Sequence, residues 1–176
     1  MEFFDVIKKR RSIRSFNSKE VDPIKIENLI KAAFWSPSFD KVKAINLFII
    51  REKDTIKKLA TSTPYSSVLR ATNTIILIGY DSEVGNHFEV DTSMAAMSIM
   101  LTATDMNLST CYVQIHKESG PFGDAEAYTR NLISAPDKIK ILGAIALGYT
   151  DQREIIPHTE SEIIRKNVHY NLYGIH

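Results

Sequence analysis

Residues 89–107 carry the longest helical pattern in the chain, and its length constrains everything that must pack around it. Met94, Met97, Met100, Leu101 and Ala103 give this segment a broad apolar surface. Nineteen residues rising about 1.5 Å each reach roughly 28 Å, enough to cross a small domain. A methionine stripe on such a helix reads as core or subunit interface, with a promiscuous pocket as the alternative use.

The elements available to pack on it alternate in type. Residues 3–11 predict a short helix with Phe3, Phe4 and Ile7 on one side and Lys8, Lys9 and Arg10 toward its end. A second helix opens at Asp22-Pro23, a capping residue followed by proline at the first helical position. Ile26, Leu29, Ile30, Ala33 and Phe34 keep its spacing until Pro37 stops it. Residues 47–50 (LFII), 74–80 (TIILIGY), 110–115 and 139–147 predict buried strands, and 53–61 and 125–133 further helices. Strands mixed with helices, only some of them joined through helices, predict an α+β domain over residues 1–176. The tail from about residue 157 has little core pattern, and a second subunit is a reasonable surface for it.

Charge and cysteine content narrow the function. Twenty-two basic residues against 21 acidic ones leave a net charge of +1, so no long-range field points to nucleic acid or an anionic membrane. Cys111 is the only cysteine, which removes an intramolecular disulfide and a cysteine-based zinc site, and it reads as a buried, inert thiol. The five histidines show no metal-ligand spacing and read as structural or surface groups, so no metal is expected. The seven glycines form neither G-x-G-x-x-G nor a Walker loop, which argues against a Rossmann dinucleotide site. The start of the chain lacks signal-peptide order and no apolar run approaches a bilayer span, so the expected setting is cytoplasmic.

The strongest local chemistry is the stretch Lys8-Lys9-Arg10-Arg11-Ser12-Ile13-Arg14. Guanidinium forks with a serine hydroxyl between them suit phosphate oxygens. The plainer reading is a set of cations meeting the negative end of a helix dipole. Ser36 and Ser38 have no local base, so a hydrolase reading finds little support.

Four segments, in order, resemble the nitroreductase family of FMN-dependent, NAD(P)H-oxidising proteins. Residues 10–16, RRSIRSF, resemble its R-x-S-x-R/K-x-F signature, and 32–38, AAFWSPS, its A-A-x-x-A-P-S turn. Residues 91–111 resemble its D-x-S-x-A-A central helix and following strand, and 141–149, ILGAIALGY, its I-x-x-I-x-L-G-Y strand. The closing VHYNLYG is like the tail of short members.

The resemblance implies a central mixed sheet flanked by helices, an intertwined homodimer, and FMN at the subunit interface. NADH or NADPH would be the co-substrate and a nitroaromatic, quinone or enone the electron acceptor. Within it, Arg10 and Arg11 would meet the FMN phosphate, Ser12 the phosphate or ribityl chain, and Arg14 the flavin pyrimidine edge. Ser36, Pro37 and Ser38, from the other subunit, would line the ring, and Arg165 and Lys166 would add to the phosphate cluster. No side chain is expected as an obligatory acid or base.

One departure stands out. Where the family shows N-x-Q-P-W after P-S, this chain has Lys41-Val42-Lys43-Ala44-Ile45. Lysine donates to a flavin carbonyl but cannot accept from the ring N–H. Lys41 or Lys43 facing the flavin would raise its potential; a displaced loop would leave both solvated. The departure also keeps open a flavin-storing or sensing protein with little turnover. Dehalogenation or flavin fragmentation on the same fold has no supporting signature.

Overall fold

The computed structural model describes residues 2–41 and 43–174. Its main elements are α1 (Phe3–Lys9), α2 (Pro23–Trp35), β1 (Ile45–Ile50), α3 (Lys53–Leu59), β2 (Thr74–Asp81), α4 (Phe88–Asp105) and β3 (Ser109–Gln114). A small hairpin, β4 (Ser119–Gly120) and β5 (Gly123–Asp124), then leads into α5 (Ala125–Leu132) and β6 (Ile139–Gly148).

Local chemistry explains the boundaries. Asp22 accepts from Ile24 N at 2.8 Å and Pro23 holds the first helical position, so α2 starts where the capping signal stands. It ends at Trp35, because Ser36 turns extended ahead of Pro37. The turn Ser66–Ala71, tightly wound, had no counterpart in the sequence patterning.

The sheet runs β1-β2-β6-β3. All its ladders are antiparallel, which corrects the expected mixed sheet; among the described residues, the one parallel pairing is an isolated bridge between Ser12 and Thr110. Helices cover both faces. Ile76, Ile78 and Tyr80 join Ile145, Leu147 and the α2 and α4 side chains on one side. Ile75, Leu77, Ile141 and Ala146 join α3 and α5 residues on the other. Strand β2 is therefore buried along both faces, and this two-sided burial is why 74–80 reads as a continuous apolar run.

A bulge sets the far end of the sheet. Ile78 pairs with Gly143 but Gly79 with Ile141, leaving Leu142 as the extra residue. The Leu142 carbonyl accepts from both Ile115 N (3.1 Å) and His116 N (3.0 Å), which fixes the exit of β3. A Cβ at Gly143 would sit 2.6 Å from the Tyr112 hydroxyl and from Val113 O, so only glycine fits beneath that ring.

After Gly148 the chain leaves the core. Apart from a few half-buried residues, positions 151–174 are exposed, including Ile156 (70%), Leu172 (68%) and Tyr173 (92%). Among the described residues, no helix is long and apolar enough to cross a membrane, and no group of three or more His, Cys, Asp or Glu could hold a metal.

Candidate functional site

The basic segment lies along a strand edge. Helix α1 ends at Lys9, and from Arg10 the backbone is extended. Ile13 N donates to Thr110 O at 2.9 Å and Ile13 is buried, so Arg10 to Arg14 are pinned beside the start of β3. Lys8 and Lys9 occupy the last turn of the helix, as the dipole reading requires. The arginines lie beyond it, where the strand and not the helix end sets their position.

The cation cluster is completed from the tail. His158 N donates to Lys8 O at 2.8 Å, and its ring lies 3.1 Å from Arg10 Nη2 and 2.6 Å from Arg11 Nη1. His158 Nε2 is 3.0 Å from the Arg10 carbonyl, and Nδ1 is 2.5 Å from Glu162 Oε2. Arg11 also donates to Glu162 Oε1 at 3.3 Å. The His158 hydrogen bond, helped by the charges of His158 and Arg11, holds the Glu162 carboxyl below its ordinary value. Arg165 and Lys166 do not join this cluster in any contact among the described residues; Arg165 instead pairs with Glu160 at 3.5 Å. His158 was missed because it lies 147 positions from Arg11 and shares no motif with it.

Arg14 is exposed, with Nη1 3.5 Å from Ser12 O. Its charge lies close enough to Cys111 to oppose, only partly, the burial that pushes that thiol up. The thiol is buried, as expected.

The loop after α2 is held by the central helix. Phe39 N donates to Asp91 Oδ1 at 3.0 Å, and the Tyr80 hydroxyl donates to Asp91 Oδ2 at 3.2 Å. Asp91 is 1% exposed, so both carboxylate oxygens are occupied inside the protein. Burial pushes the Tyr80 hydroxyl up; the hydrogen bond from the His87 amide opposes it, and the Asp91 charge adds to it less strongly. Ser36 Oγ is spent on Ala33 O at 2.5 Å, and Pro37 is exposed. Ser38 Oγ is buried with no hydrogen-bond partner among the described residues. Asp40 and Lys41 have positive φ, 46° and 60°, so the loop turns sharply there. Lys41 is exposed, and Lys43 Nζ folds back 3.3 Å from Ser36 O. Val42 lies outside the described residues.

One chain does not unite these two segments. Thr104, near the C-terminal end of α4, lines a cleft of about 370 Å³ with Arg11, while Asp91 anchors the 36–43 loop near its N-terminal end. Thirteen positions of helix separate Asp91 from Thr104, roughly 20 Å.

A third region links to the first along β3. This strand is at the sheet edge, and Thr110 turns its carbonyl outward to Ile13. The antiparallel alternation turns the backbone polar groups of Tyr112 and Gln114 to that same open edge. Four residues on from Thr110, roughly 13 Å away, the strand meets a groove of about 530 Å³ between β3 and α4. Met97, Met100, Tyr112 and Leu142 line it, with Gln114 and His116 as polar groups. The Tyr112 hydroxyl donates to Gln114 Oε1 at 2.7 Å, and burial pushes it up to about 12, so it stays neutral. Within the methionine stripe, Met100 packs on the core as well as lining the groove, while Met97 is 48% exposed there.

His116 is held from two sides. Its Nδ1 is 2.8 Å from Glu126 Oε2 of α5, and Nε2 is 3.1 Å from Glu89 Oε1 of α4. Glu126 is 8% exposed, and its other oxygen accepts from Ile141 N at 3.1 Å and pairs with Arg130 at 3.3 Å. The Lys117 hydrogen bond and charge, then His116, hold the Glu89 carboxyl low. No sequence signal marked this group, because its members sit on three separate elements.

An antiparallel sheet between helical layers, with an arginine-serine segment beside an open strand edge, defines an α+β protein. The nitroreductase family model matches residues 7–64 and 61–149, and the chain belongs to that family. An FMN-dependent nitroreductase from Clostridium difficile R20291 is 27% identical, with a TM-score of 0.89 over 97% of this chain and 99% of that one. A Methanothermobacter thermautotrophicus protein named "Putative NADH dehydrogenase/NAD(P)H nitroreductase" is 26% identical over 152 residues, 85% of this chain and 78% of its own length. The NADPH:FMN oxidoreductase of Vibrio harveyi, solved with NAD+, shares the fold at TM-score 0.81 and 17% identity, covering 97% of this chain and 77% of that one.

Proposed function

We propose that this protein is an FMN-dependent oxidoreductase that draws reducing equivalents from NAD(P)H and delivers them to a small nitroaromatic, quinone or enone acceptor. The observation that carries the reading is the continuous path along β3, from the pinned Arg10–Ser12 segment to the apolar groove at Tyr112–His116. Its relatives' FMN dependence and NAD(P)H naming agree with it.

The residues present fit FMN. Arg10, Arg11 and Ser12, with the His158 ring beside them, offer charged and neutral donors for a phosphate. Glu162 balances that charge before a phosphate arrives. The open backbone edge of Tyr112 and Gln114 and the Arg14 charge suit the polar margin of a flavin ring. Ser38 Oγ is a buried hydroxyl still in want of a partner. Bound FMN supplies reversible two-electron chemistry between NAD(P)H and the acceptor. The protein holds the phosphate and orients the ring with fixed backbone groups, and the walls of Met97, Met100 and Leu142 leave an apolar seat beside the ring for the acceptor.

A homodimer completes the site. The 36–43 loop and the arginine segment stand at opposite ends of α4, so Ser36, Pro37 and Ser38 reach a flavin held by Arg10 only from a second copy. Exposed Phe3, Phe4, Trp35 and Met94 and the apolar tail suit burial in that contact. The single family-type domain spans residues 1–176, with the tail from about 157 packing on the partner and Arg165 and Lys166 carried toward the phosphate cluster there. Lys43 shields the Ser36 carbonyl in this arrangement, and Lys41 is the lysine free to face the ring. A single buried thiol and NAD(P)H as donor suit a cytoplasmic setting.

The test is the visible spectrum of the protein supplied with FMN, before and after anaerobic NADH or NADPH. Prompt bleaching of a bound flavin is expected, and Arg10→Ala is expected to weaken FMN binding by roughly tenfold or more. A bound flavin that stays oxidised would favour the storage or sensing role that the lysine loop allows. No bound flavin would overturn the reading.

A further inference from the structure

We propose that His116 is the proton donor to an acceptor bound in the groove between α4 and β3, with Glu126 as the residue that positions it. The proposal rests on the oxidoreductase reading above and concerns only its second half, the reduction of the acceptor.

The two ring nitrogens have different surroundings. Nδ1 faces Glu126, whose carboxylate is buried and tied at its other oxygen to Ile141 N and Arg130, so the Nδ1 proton is fixed in place. Nε2 faces Glu89, whose side chain is 55% exposed at the mouth of the groove. The proton that can leave is therefore on Nε2. The Phe88 ring stands perpendicular to the imidazole at 4.8 Å between centroids and restricts its tilt. The charged groups facing His116 are Glu126 and Arg130 from α5, Glu89 from α4, and Lys117, which pairs with Glu89 at 2.6 Å.

The chemistry balances with one proton. Two-electron reduction of a quinone adds a hydride equivalent, originating in NAD(P)H, and one proton, giving a hydroquinone and NAD(P)+. His116 Nε2 releases that proton to the acceptor oxygen, and the neutral ring, still held at Nδ1 by Glu126, is reprotonated from solvent past Glu89. The apolar walls of Met97, Met100 and Leu142 fit a planar quinone-class ring, and His116 lines the same groove.

A purely structural His116, bridging α5 to α4, would make the same contacts, so the test separates the two. The FMN-loaded wild type, His116→Gln and Glu126→Gln proteins are reduced with NADH and then mixed anaerobically with 1,4-benzoquinone or with ferricyanide across about pH 5 to 8. Ferricyanide takes single electrons and no proton. For the wild type, the quinone rate is expected to fall as pH rises. For His116→Gln it is expected to be slower by roughly tenfold or more at low pH and nearly independent of pH, with ferricyanide reoxidation within about twofold of wild type. Glu126→Gln removes a negative charge beside the ring, so its rate profile is expected to shift to lower pH. A His116→Gln protein that binds FMN and is reoxidised by quinone at the wild-type rate, with the wild-type pH profile, overturns the donor role while leaving the oxidoreductase reading standing. Should His116→Gln fail to fold, an unshifted profile in Glu126→Gln overturns it instead. Failure of the wild type itself to be bleached by NAD(P)H overturns both.

Discussion

Tyr112 shows how one side chain joins the fold to the site. Its ring lies over Gly143, where any Cβ would collide with the hydroxyl, and that hydroxyl fixes Gln114 at the groove. Burial raises its ionisation from an ordinary 10.0 to about 12. In the unfolded chain it ionises near the ordinary value, so above that pH the unfolded state binds fewer protons than the folded one. Stability therefore falls as pH rises from about 10 toward 12. Tyr112→Phe is expected to lose less stability over that window than wild type, measured by urea midpoints at successive pH values; equal losses would mean that the hydroxyl is not held neutral. The local sequence, Thr-Cys-Tyr-Val-Gln, predicts a strand but says nothing of this. The missing Cβ that makes room for the ring comes from another strand.

At the scale of elements, burial separates two strands of similar composition. Ile78 of β2 is fully buried between helical layers, while Ile49 of β1 is half-buried on an edge strand. Ile78→Ala should cost about 2–5 kcal/mol, by lost transfer energy plus a cavity that the tight sheet cannot close. Ile49→Ala should cost clearly less, and chemical denaturation of the two variants would measure the difference. The elements were largely legible in advance because their signals are local: Asp22-Pro23 caps α2, and the unbroken 74–80 run marks a strand covered on both faces. The sheet's antiparallel pairing was not legible, since strand direction depends on which strands become neighbours. Nor was the bulge at Leu142, which sets where His116 emerges.

For the whole molecule, the tail is the clearest test of what holds what. Among the described residues, it adds none to either core cluster but touches Lys8, Arg10 and Arg11 through His158 and Glu162. A chain ending after Pro157 is therefore expected to keep its circular dichroism and most of its thermal stability. It should bind FMN more weakly and sediment as a smaller species than the full chain. Loss of folding on truncation would show that the tail belongs to the core. By itself, the sequence determined the family, the order and kinds of elements, and the arginine-serine segment, because caps, apolar periodicity and signature spacing are properties of neighbouring residues. Only the tertiary structure decided that this segment lies along β3, that His158 completes it from the tail, and that Lys43 turns back onto Ser36. It alone placed Glu126 behind His116. Those are contacts between residues far apart in the chain, and the free energy that selects them comes from packing the whole molecule at once.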